Sequence, residues 1–249
     1  MPVLPTGPFT ISDLHPIDEA GHAAIWLREG ASAEEAELVA ACAEWTSTYP
    51  TRKVRKGRRI EALCPMVKPS MEDRSLILAA VFGQGREPAL VTLDALLRNA
   101  ADRFQSEIKS SDPRLRCLTL VLPGVRGARL LEATEPDRAI KGELLKRGIL
   151  VGEFFPSCPF ATTFNPRFFA LRSPAPMYVF RTLLDSDWRF ICQIPEWQAI
   201  YRERFGEPPR RLCHLGGRAW RWKQKIQWRL DALRQRFGRG EEENPFIES

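Results

Sequence analysis

Four short stretches constrain this chain's fold more than anything else in it. SLILAAVFG (75–83), CLTLVLPG (117–124) and ILVGEFF (149–155) are apolar runs of strand length, each bounded by Gly or Pro. Runs this short and this apolar read as buried strands. The fourth, PMYVFRTLL (176–184), alternates Met177, Val179 and Arg181 against Tyr178, Phe180 and Thr182, the period-two pattern of a strand. Helical segments separate the first three. Ser32 and Glu35 form a capping box ahead of Leu38, Val39, Cys42 and Trp45, and Pro50 ends that helix. After Thr92, the residues Leu93, Leu96, Leu97, Ala100, Ala101, Phe104 and Ile108 make one apolar stripe, closed by Asp112-Pro113. Residues 128–147 read as a helix interrupted at Pro136 and stopped by Gly148. Two short helices follow the fourth strand, the second between Pro195 and Gly206.

This order predicts an α/β (α+β) fold: a layered sandwich with a central mixed sheet of about four or more strands flanked by helices. Residues 1–31 are expected to form an irregular N-terminal arm. Residues 32–207 form the main domain, and 208–249 hold a basic helix and an acidic tail. In that helix Trp222, Ile226, Leu230, Leu233 and Phe237 form one stripe on an otherwise basic segment, 218–238. The stripe is expected to dock on the chain's own domain or on a second copy of it.

Length and composition agree with a domain that needs no disulfides: 249 residues, 44% of them hydrophobic. The six cysteines are dispersed and form no CxxC pair, which argues against a zinc ribbon or a thioredoxin-type site. The first residues lack a basic start followed by an apolar run, and no apolar stretch approaches the roughly 20 residues that span a bilayer. A cytoplasmic protein with reduced thiols is the expectation. The net charge of +6 is concentrated in Arg52–Arg59, with six basic residues, and in Arg210–Arg239. Such runs can bind nucleic acid, but they read more readily as a solvated loop and a solvated helix face. Nucleic acid ranks last among the partners.

The motifs exclude more than they assign. His15, His22 and His214 are far apart, and neither HxxxH nor HExxH spacing occurs. There is no GxSxG nucleophile elbow, no Walker lysine motif and no GxGxxG turn. Two Cys-Pro dipeptides stand out, Cys64-Pro65 and Cys158-Pro159. A thiolate held in front of a proline can ligate a haem iron, and a buried, inert thiol is the plainer alternative. The stretch GEFFPSCPFATTFNPRFFALRSPAPM (152–177) carries six Phe and five Pro in 26 residues. Its Phe154 and Phe155, with Arg167 and Arg172 embedded among further aromatics, outline an apolar pocket with a cationic handle. Alternatively the loop covers a sheet edge and Arg172 pairs with Glu153.

GILVGEFFP, NPRFFALRSPAPM and TLLDSDWRFI, together with LCPMVK and LTLVLPG, resemble a bacterial domain family of unknown function whose members read GEFHP, then NPxFxxLRSPxP. The resemblance covers roughly residues 35–207. The family's histidine after EF is Phe155 here, its aspartate after NP is Arg167, and Cys158 is additional. By analogy, the CPF-like element and the layered α/β order are similar to haem-dependent N-hydroxylases of guanitoxin- and cycloserine-type pathways. That analogy implies haem b and a small nitrogen-containing metabolite as substrate, in specialised metabolism. Cys64, Cys158 or His214 would then be the axial ligand, and Arg167 or Arg172 the propionate partner, beside Phe154 and Phe155. The competing expectation is a cofactor-free small-molecule enzyme or binding module using the same pocket.

Overall fold

A computed structural model describes residues 9–56, 59–83, 88–135, 138–162, 167–192 and 194–208. In chain order the elements are β1 Phe9–Ile11, β2 His15–Pro16, α1 Ile17–Ala20, α2 Ala23–Arg28, α3 Ala33–Thr48, β3 Lys53–Lys56, β4 Arg59–Ala62, α4 Val67–Glu72, β5 Leu76–Gly83 and α5 Leu90–Ser106. They continue with β6 Cys117–Val121, α6 Gly127–Ala133, α7 Ala139–Lys146, β7 Ile149–Phe154, β8 Met177–Thr182, α8 Trp188–Ile191 and α9 Pro195–Phe205.

The central sheet is mixed and six-stranded, in the order β1-β5-β6-β8-β7, with β2 also pairing to β5. β5 and β6 run parallel, and β8 is antiparallel to both of its neighbours. The parallel pair forms the middle of the sheet, and six consecutive residues of β5, from Leu76 to Val81, are buried. A strand covered on both faces requires a helical layer on each side. Successive side chains point to opposite faces, and the core divides accordingly. Ile77, Ala79, Leu118, Leu120, Val151, Tyr178 and Phe180 pack under α5, α6 and α7. Leu76, Leu78, Ala80, Val121 and Met177 pack under α1 to α4. A third, smaller cluster joins Leu145 and Leu150 to α8 and α9 through Trp188, Trp197 and Tyr201.

The capping box predicted at Ser32 and Glu35 is formed, and it starts α3. Gly148, at φ +76°, ends the turn after α7 in a conformation that side chains with a Cβ avoid. Two regions differ from expectation. Residues 9–31 are not irregular: β1 and β2 pair antiparallel with β5, and Trp26 is fully buried with its indole N–H donating to Ala20 O. Their strands are too short to show a period. The basic run is not a plain loop: Lys53–Lys56 pairs with Arg59–Ala62 as a separate hairpin, its alternation masked by charge on both faces. The 218–238 helix lies outside the described residues.

Phe155 leaves β7 and lies on α6, 2% exposed, where Gly127 leaves room for its ring. A Cβ on Gly127 would meet Phe155 Cδ2 at 2.2 Å. Gly127→Ala should destabilise the protein by about 1–3 kcal/mol, the range for overpacking a tight contact, measured by urea unfolding. An unchanged midpoint would mean that Phe155 is not held on this helix.

Candidate functional site

Strand parity splits the aromatic loop. Phe154 and Phe155 are adjacent, so they leave β7 on opposite sides. Phe155 goes to α6. Phe154 packs with Phe168 on the side of α1 to α4. The single Phe/Arg pocket expected from 152–177 is therefore divided in two, and the halves differ in character.

The half that holds Cys158 is closed. Cys158 is 0% exposed, and its main-chain N–H donates to Phe155 O at 3.1 Å. Burial pushes its thiol up to about 12, with Glu153 adding to the rise and a main-chain bond from Phe160 and the charge of Arg172 opposing it. Arg172 Nε donates to Cys158 O at 3.2 Å, and its guanidinium lies over the Phe169 ring at 4.2 Å. Glu153 is not the partner of Arg172. It pairs at 2.6 Å with Lys141 of α7, both side chains mostly buried. Arg167 is exposed.

The other half is open. On the α3 side of the sheet, Cys117, Val179, Arg181, Gly152 and Phe154 all keep intermediate exposure, so β6, β8 and β7 present a half-covered face there. We refer to this face as the groove. The register Cys117↔Arg181 to Val121↔Met177 sets its length, roughly 13 Å for five residues of strand. At Gly152 the Phe154 ring takes the side-chain space: a Cβ there would meet it at 3.2 Å. Aromatic rings wall one end. Trp45 stacks on Tyr49 with ring centres 4.8 Å apart, meets Phe154 edge-on at 5.8 Å, and Tyr49 in turn faces Phe168 at 6.3 Å. The exposed Arg52 lies over Tyr49 at 5.4 Å. Burial raises the Tyr49 hydroxyl above its usual range, with Arg52 opposing.

Two thiols, Cys64 and Cys117, also border this face. Cys64, half-buried, is anchored by its N–H on Pro50 O at 2.8 Å. Burial first, and the neighbouring Cys64 second, push the Cys117 thiol up to about 12, against the pull of Arg181. Arg181 is held by a two-pronged pair to Asp187, both contacts at 2.6 Å. On this side of the sheet two buried polar atoms have no partner: Trp45 Nε1, in a residue 7% exposed, and Thr119 Oγ1, in a residue 0% exposed. Thr119 pairs across to Leu78 and Val179, both packed on this face, so strand alternation places it here. An unpaired buried donor or acceptor costs about 1–3 kcal/mol.

The donor set at the groove fits a haem better than the loop does. Cys64 offers a half-accessible thiol, the aromatic wall offers an apolar flank, and Arg52 offers a cation near it. Cys158, sealed and with its thiol far above neutrality, does not fit an axial thiolate. Arg172 is committed to Cys158 O and Phe169. Phe154 belongs to the groove; Phe155 does not. His214 lies outside the described residues. Trp45, Thr119, Arg52 and Gly152 were not among the residues assigned to this site from sequence. For the first two the signal is a missing partner, which only tertiary structure reveals.

The fold is a mixed α/β sandwich with a half-open sheet face on one side. The chain matches the family described as a domain of unknown function, DUF6875, over residues 39–213, and it belongs to that family. No curated protein and no solved structure matches it. No helix among the described residues is long and apolar enough to cross a membrane.

Thiol chemistry should separate the two halves. In the native protein at pH 8, iodoacetamide should label Cys64 while Cys158 stays unmodified, read by peptide mapping after a timed quench. Equal labelling of both would contradict the burial assigned to Cys158.

Proposed function

We propose that the chain is a haem-binding, oxygenase-like enzyme acting on a small nitrogen-containing metabolite, with Cys64 as the residue that would hold the haem and the groove as the site. The observation that carries this reading is a half-accessible thiol bordering a groove that also holds an aromatic wall and unpartnered buried polar atoms. The resemblance of CPMVK (64–68) to the CPF element of haem-dependent N-hydroxylases supports the cofactor and supplies the substrate class. Cys42, Cys64, Cys117 and Cys158 are free thiols, and the reading includes a cytoplasmic setting.

Bound haem b would supply oxygen activation, which a thiolate ligand favours by donating electron density to the iron. The chain's own residues do the rest. Phe154, Phe168 and Tyr49 exclude water from one end. Arg52 holds an anionic group, a propionate or a substrate carboxylate, at the outer edge of the aromatic wall. The Arg181–Asp187 pair, both contacts at 2.6 Å, fixes the guanidinium at the strand end that carries Cys117. No step is assigned to position 155, where Phe stands in place of the family's histidine.

A second reading rests on Arg52 over Tyr49: a cofactor-free site that holds a small carboxylate in the same groove. An absorption titration with haemin separates the two. The haem reading predicts a tight Soret band whose position, reduced under carbon monoxide, is that of a thiolate ligand. Cys64→Ser should abolish that signature, and Cys158→Ser should leave it. No Soret band with haemin in excess would remove the haem reading and leave the cofactor-free one.

A further inference from the structure

Oxygenation of a nitrogen by molecular oxygen needs a reductant. One oxygen atom enters the new N–O bond, the other leaves as water, and a pair of electrons with a pair of protons balances the step. In the haem reading those electrons come from a separate donor, which has to dock close to Cys64.

The hairpin of β3 and β4 is the surface that adjoins Cys64. It is a sheet of its own, apart from the central one. Main-chain bonds extend it past Ala62 to the thiol: Leu63 N–H donates to Arg52 O at 3.0 Å, and Cys64 N–H to Pro50 O at 2.8 Å. Its register gives it two unlike faces. Arg55 lies opposite Ile60 and Lys53 opposite Ala62, so these share one face, while Val54 and Glu61 share the other. On the first face Lys53, Arg55 and Ile60 are all exposed, Ile60 at 63%. Among the described residues no carboxylate pairs with Lys53 or Arg55, so their charge is available to a partner.

The make-up of this face narrows the partner. Charge alone holds a phosphate backbone, and an isoleucine adds nothing to that. Stacking on bases needs aromatic rings, and residues 53–62 contain none. An apolar side chain set among cations is how a protein interface is built, and the cations fix the sign of the partner. We infer that the face of Lys53, Arg55 and Ile60 docks an acidic electron-donor protein, an iron–sulfur or flavin carrier, beside Cys64. The donor role rests on the haem reading; the charge of the face and its exposed isoleucine do not.

The test titrates the full chain, with and without haemin, against an acidic plant-type ferredoxin by surface plasmon resonance. Binding should be saturable and should weaken with added salt. The double variant Lys53→Glu/Arg55→Glu should bind at least about tenfold more weakly, chiefly through slower association. Ile60→Ser should cost about tenfold, chiefly through faster dissociation. Both variants should melt at the temperature of the parent. In the haemin-loaded protein, reduction by ferredoxin under carbon monoxide should slow about tenfold in the double variant. Ferredoxin that does not bind, or that binds the variants as tightly as the parent, overturns the inference. So does a parent that ignores ferredoxin but is held by phosphatidylserine vesicles or duplex RNA through Lys53 and Arg55, which would assign the face to a membrane or to nucleic acid. If haemin gives no Soret band while ferredoxin binding still follows the hairpin variants, the haem reading and the donor role fall and the docking face stands. If the Soret band forms and ferredoxin is ignored, the docking face falls and the haem reading stands.

Discussion

Everything in this structure depends on β5 and β6 being buried on both faces. Leu76 to Val81 and Leu118 to Val121 have no solvent side, so the chain must supply a helical layer above and another below. The α5–α7 layer covers its face as far as β7, with Ile140 and Leu144 against Ile149 and Val151. The α1–α4 layer is anchored on β5, through Trp26, Val39 and Val67, and reaches across only to the near part of β6, β8 and Phe154. The groove is the consequence of that unequal coverage. It sits where the second layer stops, not where a loop has been added.

That origin explains why the site was harder to read from sequence than the fold. The central strands are legible because two-sided burial leaves an unbroken apolar run, and α3 and α5 because a capping box and a clean stripe mark them. β1 and β2 are too short to carry a period. They exist only because β5 has an edge to pair with. The aromatic loop drew attention by composition, but composition does not say which way a side chain points. Two neighbouring phenylalanines at the end of a strand had to diverge, and with them the imagined pocket. Glu153 and Arg172 separate for a related reason: Glu153 faces α7, where Lys141 meets it, while Arg172 turns back onto the loop's own carbonyl at Cys158.

Cys64 and Cys158 illustrate the limit of a motif. Both precede proline, yet one sits half-open beside Cys117 and Arg181 and the other is sealed with its thiol pushed up to about 12. Local sequence gives them equal standing. Burial and neighbouring charge make them chemically different. Membership in the DUF6875 family covers both positions and does not choose between them. The choice comes from the sheet: Cys64 packs at the half-covered face, while Cys158 is sealed on the other side of the loop.

The central claim is that this face holds a ligand rather than being closed by the chain itself. A high-resolution crystal structure of the protein as isolated from cells tests it most directly. The account predicts non-protein density over β6, β8 and β7, in contact with Cys64 and the aromatic wall of Tyr49, Phe154 and Phe168. A face closed by the protein's own side chains would contradict it.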